Sequence, residues 1–242
     1  MRWLDGRVWL EDSVDAPRPV TGKELRERYT ADLPVLTAGL VRLSENSVRV
    51  GPVDLVGFGR PKVLRNRVDW PIESGAATGA PGGTFSIKSA GGRLEAKVEN
   101  YKPSLPIAVY MFTQLPIHHL FMRLHLLRVR GRQPLPGVPA EPTRRRRAAV
   151  IDGVACVALT LLIARRKRLK MLAGVALGYH VACWSLSGRT LGGLIEDQRV
   201  VAVDGSRPTA GQALVRFLAL PVSWIKKRPV HDEFACTEVV VH

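Results

Sequence analysis

AAVIDGVACVALTLLIA at 148–164 and MLAGVALGYHVACWSLS at 171–187 are two apolar runs separated only by RRKRLK at 165–170 and preceded by RRRR at 144–147. Each is 17 residues long, the lower bound for crossing a bilayer at about 1.5 Å of rise per residue. The first holds one charge, Asp152, and the second none. Basic runs at the ends of apolar segments are the pattern of membrane topology, so the stretch predicts a two-helix transmembrane hairpin with helices over about 148–164 and 171–187. Seven Lys/Arg lie between Arg128 and Arg147 and three from Arg189 to Arg207, against five in the connecting loop. That count puts both flanks, and hence both termini, on the cytoplasmic side of a bacterial inner membrane, as a multi-pass protein. Five positives in so short an outer loop leave a shallow re-entrant hairpin as the alternative.

Within this module, Asp152 needs a reason, because a carboxyl in an apolar helix is costly unless it is paired, protonated or near the interface. Arg145 is seven residues earlier on the same helix face, and His180 and Arg216 are further candidate partners, for either an ion pair or a proton or ion relay. Small residues four apart let helices approach closely in lipid. Gly174, Gly178 and Ala182 in the second run and Ala149 and Gly153 in the first are therefore the expected helix-packing seam. Downstream, 198–203 reads as a short strand. Thr209 then caps a helix over about 209–225 that contains Arg216 and Pro221, too short to span and expected along the membrane surface.

Upstream, Gly131 to Thr143 holds four prolines and two glycines, a composition of stiff extended chain that marks 133–143 as a linker. Residues 1–132 form the other domain, expected to stay in the cytoplasm because 1–12 has charges throughout and no apolar run of signal length. The segments 35–43, 47–53, 63–70, 84–88 and 93–99 are short, rich in β-branched residues or alternating, and separated by Gly, Pro and Asn; they read as a β-meander. The sharpest local pattern is 84–99, where Gly91-Gly92 supplies the positive φ of a tight turn and Leu94, Ala96 and Val98 alternate with charged residues. The Gly/Ala/Ser stretch 74–83 lacks the Gly-Lys-Ser/Thr ending of a phosphate cradle and reads as a loop. Residues 105–130 look helical, broken near Pro116. With Ile117, Leu120, Phe121, Leu124 and Leu127 on one face, that helix either covers the sheet or lies in a membrane interface. The predicted class is thus α+β: a β-rich N-terminal domain with a covering helix, then an α-helical membrane module over 144–242.

Charge and composition narrow the function. The net charge of +15 divides into +6 over 1–143 and +9 over 144–242. The basic residues collar an apolar segment rather than spreading along an aromatic-studded face, which speaks against nucleic acid. Cys156, Cys183 and Cys236 are odd in number and widely spaced, suggesting neither a disulfide framework nor a zinc site, and His118 and His125 lack a third ligand. No catalytic constellation stands out, so no catalytic residue, metal or cofactor is assigned.

RRRAAVID at 145–152, GRTLGG at 188–193, RVVAVDGSRP at 199–208 and RPVHDEFACTEVVV at 228–241 resemble, in order, the elements of the RDD family of small bacterial membrane proteins. The resemblance covers roughly 144–241 and makes Arg145, Asp152 and Asp232 the signature residues. It implies a membrane protein of unidentified ligand, for which transport has been suggested. The expected function is a membrane-anchored accessory or binding protein, with the lipid bilayer and either a second copy or another membrane protein as partners. One alternative is an oligomeric transporter or ion exchanger using Asp152; another is small-molecule or lipid binding by the N-terminal domain.

Overall fold

The structure is a computed structural model that describes residues 1–44, 46–163 and 168–241. The chain divides into two compact units, Met1–Gly131 and Arg132–His242.

In the first unit β1 (Arg2–Leu4) and β2 (Arg7–Asp15) are followed by α1 (Gly22–Leu36). Next come β3 (Val41–Ser44), β4 (Ser47–Val50), β5 (Val53–Phe58), β6 (Lys62–Val63), β7 (Arg67–Ser74), β8 (Thr78–Ala80), β9 (Gly83–Ala90) and β10 (Arg93–Pro103). Two helices close the unit, α2 (Ile107–Phe112) and α3 (Gln114–Arg130). Among the described residues the strands form one antiparallel sheet of order β1-β2-β10-β9-β7-β5-β4-β3, with β6 on β7 and β8 on β10. The β9–β10 hairpin turns at Gly91 and Gly92, whose φ of 58° and 73° L-residues with a Cβ resist. Beyond the turn Leu94, Ala96 and Val98 are buried on one face, as the period of two requires. On the same unit's helical side α1 and α3 pack against each other and the sheet. Tyr29 of α1 meets Trp70 of β7 and Phe85 of β9, each with ring centroids 5.2 Å away. Residues 105–130 therefore form the cover of a sheet, broken at Thr113 one turn before Pro116.

Two readings of this unit change. The run 35–43 is not a strand throughout: Val35 and Leu36 end α1, and only Val41–Ser44 pairs in the sheet. The 74–83 stretch includes the short strand β8.

The second unit opens with β11 (Val138–Pro139), which pairs with the last strand, so part of 133–143 belongs to a sheet. It continues with α4 (Pro142–Ile163), α5 (Arg168–Leu186), α6 (Leu191–Ile195) and β12 (Gln198–Ala202). Then follow α7 (Ala210–Leu218), α8 (Leu220–Lys226), α9 (Val230–Ala235) and β13 (Thr237–Val241). The sheet is antiparallel in the order β11-β13-β12. Trp184, Val200, Ala213 and Val239 centre a small core against which Val181, Phe217 and Leu220 pack. Thr209 caps α7 in a full capping box with Gln212, which satisfies amides at both ends of the first turn. The helix expected over 209–225 is two, α7 and α8, meeting at Ala219 before Pro221.

The two-helix transmembrane hairpin is overturned. Among the described residues one helix, α5, is long and apolar enough to cross a membrane; α4 is not. Four arginines stand in α4's first turns, and its buried stripe is Ala148, Asp152, Cys156 and Thr160, half of it polar. Its outer apolar residues, such as Val150, Val154 and Leu162, are exposed. The inner-membrane, multi-pass placement, the orientation derived from it and the bilayer as partner fall with the hairpin. The residues Arg165, Arg166 and Lys167 of the connecting loop lie outside the described residues.

Candidate functional site

In the second unit four elements converge on one carboxylate. Asp232, on α9 and buried, accepts from Arg216 of α7 on Oδ1 and from Arg145 of α4 on Oδ2. Thr237 of β13 donates to the same Oδ1 at 3.1 Å and accepts from Arg216 at 2.8 Å. The Arg216 guanidinium also lies 4.9 Å from the centre of the Trp184 ring, a distance suited to cation–π attraction. Burial and the neighbouring Arg145 push the Arg216 pKa down; the intrinsic basicity of a guanidinium and the Asp232 carboxylate keep it charged.

Arg145 reaches further, placing its guanidinium 3.3 Å from His231 Nε2, while His231 Nδ1 is 2.7 Å from Ser223 Oγ. Because Nε2 accepts from arginine, the proton of the neutral ring sits on Nδ1 and points at the serine. Ser223 meanwhile donates to the Ala219 carbonyl at 3.2 Å and accepts from the His231 amide at 2.9 Å. Burial, Arg216 and Arg145 push His231 down to about 3. An imidazole that faces a serine as a donor and resists protonation is poorly arranged for general-base catalysis; this pair serves to tie α8 to α9.

Asp152 has other partners than those the sequence offered. Its Oδ1 accepts from the Tyr179 hydroxyl and from the Gly192 amide, each at 2.8 Å, and Tyr179 in turn accepts from the Leu191 amide at 2.7 Å. Arg216 pairs with Asp232, and His180 Nδ1 lies 2.8 Å from the Ala176 carbonyl within its own helix. Burial lowers the His180 pKa, with Asp152 opposing and Arg216 adding to the shift. Of the three signature residues, Arg145 and Asp232 touch, and Asp152 stands two helical turns along α4.

The small-residue seam is not where the spacing put it. A Cβ added to Gly153, Gly174 or Gly178 would meet no atom within 4 Å; Ala182 and Ala149 are exposed. The close approach is made by Gly192 of α6, where a Cβ would stand 2.1 Å from the Ala148 carbonyl oxygen. That glycine also brings its amide onto Asp152, and the GG pair at 192–193 is the signal that could have located it.

These side chains surround a cavity of about 850 Å³ within the unit, in the size range of small-molecule sites. Arg145, Arg146, Arg199, Arg216, Lys227 and Arg228 line it, with Asp152 as the acidic group among the lining residues. Trp184, Val200, Leu220 and Val239 supply apolar wall. The buried atoms Arg199 Nε, Arg216 Nε and Gln198 Oε1 have no hydrogen-bond partner among the described residues. Arg146, Arg228, Lys227, His231 and Gln198 were not singled out by sequence reasoning; their convergence spans 82 positions from Arg146 to Arg228 and has no local periodicity. Among the described residues no group of three His, Cys, Asp or Glu is placed to hold a metal ion.

Comparison with known proteins gives no match, whether to a family model, to a curated protein or to a solved structure. Together with the single apolar helix of spanning length, this overturns the RDD resemblance and the membrane transport reading that came with it. The order of short motifs over 144–241 reflects local similarity that does not extend to a family match.

Proposed function

We propose that the C-terminal unit is a binding module for a small molecule carrying a phosphate or carboxylate, held in the cavity between α4, α7, α8 and β12. The observation that supports it most directly is the charge imbalance: six cationic side chains line the cavity, while Asp232 is shared by two of them and Glu233 pairs at the surface with a third, Arg228. Like charges about 6 Å apart repel by roughly 3 kcal/mol at an effective dielectric of ~20. An anion relieves that repulsion and forms charge-assisted hydrogen bonds with the guanidinium forks. The first turn of α4, which carries Arg145 and Arg146, adds its positive helix end to the same side.

Binding rather than catalysis is the reading favoured by the direction of the His231 proton. Small-molecule binding is here assigned to the C-terminal unit because its cavity carries the cationic lining.

The test is calorimetric titration of the full chain with pyrophosphate. Saturable binding at one site per chain is expected, and the double variant Arg146→Gln/Arg228→Gln should weaken it by about tenfold or more, as loss of two charge-assisted contacts predicts. Both residues are exposed, so circular dichroism should show the fold unchanged. Absence of saturable heat with pyrophosphate would refute the proposal.

A further inference from the structure

One face of α4 lines the cavity with Arg145, Ala148, Ala149 and Asp152, at spacings of three, four and seven. Residues so spaced share a helix face, and the outer two stand about 10 Å apart along the axis. The face is therefore cationic at its N-terminal end, anionic two turns later, and small in between.

The far end keeps one acceptor atom open. Both hydrogen bonds to Asp152 fall on Oδ1, and Oδ2 makes none among the described residues. Gln198, 5% exposed, presents Oε1 with no donor, although buried polar atoms are nearly always paired. The α6 turn touches both residues: the Gly192 amide donates to Asp152, and a Cβ on Gly193 would stand 2.9 Å from the Gln198 backbone carbonyl oxygen. A carboxylate in a cavity whose charged lining is otherwise cationic fits neither a simple anion nor an apolar guest.

We infer that the ligand is amphoteric: a phosphate or carboxylate at the Arg145 end, joined through a short spacer to an ammonium group that donates to Asp152. This rests on the anion-binding reading of the same cavity and adds to it the chemistry of the ligand's other end.

The experiment compares ω-aminoalkyl phosphates of graded chain length with n-alkyl phosphates of equal length, by calorimetry on the full chain. At the best-fitting length the amine should bind about tenfold tighter than its alkyl counterpart, as a charge-assisted hydrogen bond in a partly buried site predicts. Acetylating the amine, a change in the probe that leaves the protein untouched, should abolish the advantage. Asp152→Asn, which keeps a carbonyl acceptor for Tyr179 and Gly192, should abolish it too. Amines and alkyl phosphates that bind alike at every length overturn the inference and leave the anion site standing. If pyrophosphate and both phosphate series fail to bind, the anion site falls and this inference with it.

Discussion

Replacing Asp232 by Asn tests the architecture of the second unit directly. The Asp232 and Arg216 side chains are each 4% exposed and Arg145 is 27% exposed, so one carboxylate neutralises one fully buried guanidinium and one partly buried one. Asparagine is nearly isosteric and can still accept from Thr237 and Arg216; what it removes is the charge and the acceptor for Arg145. Removing one member of a buried ion pair costs about 3–5 kcal/mol, because the partner is left charged in a poor solvent. The readout is hydrogen exchange at the amides that pair β12 with β13, where Val200 faces Val239 and Arg199 faces Val240. A loss of that size should accelerate exchange by roughly two to four orders of magnitude if these amides open with the unit as a whole. The double variant Arg216→Met/Asp232→Leu should recover most of the loss, since a packed apolar pair avoids the desolvation that the charges incur. Acceleration below about tenfold for Asp232→Asn would show that the carboxylate is not the tie described here.

Gly192→Ala should destabilise the same unit by about 1–3 kcal/mol, since the new methyl must displace α6 from Ala148 and take the Gly192 amide off Asp152; a melting temperature within a degree of the parent would contradict this. Stability of the unit should be flat between pH 6.5, the ordinary histidine value, and about pH 8, and decline as pH falls toward 3. His231, held down to about 3, and His180, also lowered, stay neutral when folded, whereas the unfolded chain takes up protons. His231→Gln should flatten the decline seen in β12–β13 exchange between pH 6.5 and 4, and an unchanged slope would assign the acid sensitivity elsewhere.

Local rules were legible where local forces decide. The β9–β10 hairpin follows from Gly91-Gly92 and the alternation after it, and the start of α7 from Thr209 and Gln212. The helix α1 was missed because ELRERYTADL is dense in charge and Pro34 interrupts it, although Thr21 accepting from the Glu24 amide at 3.2 Å is an ordinary N-cap. The larger misreading, of α4 and α5 as a membrane hairpin, has a physical source. A hydropathy window counts each apolar residue alike whichever side of the helix it stands on, so it cannot see that α4 turns Asp152 and Thr160 inward. Nor could spacing find the partner of Asp232: Arg145 lies 87 positions away, and nothing local joins an arginine at a helix start to an aspartate in a late, one-turn helix.

The position of β13 has a consequence for synthesis. It is the last strand in the chain and the middle one of its sheet, and Thr237 at its start completes the hydrogen bonds of Asp232 and Arg216. While the ribosome is still translating this strand, β11 and β12 have no neighbour to pair with. Assembly of this sheet therefore waits for β13, whereas every strand of the first unit's sheet precedes it in the sequence.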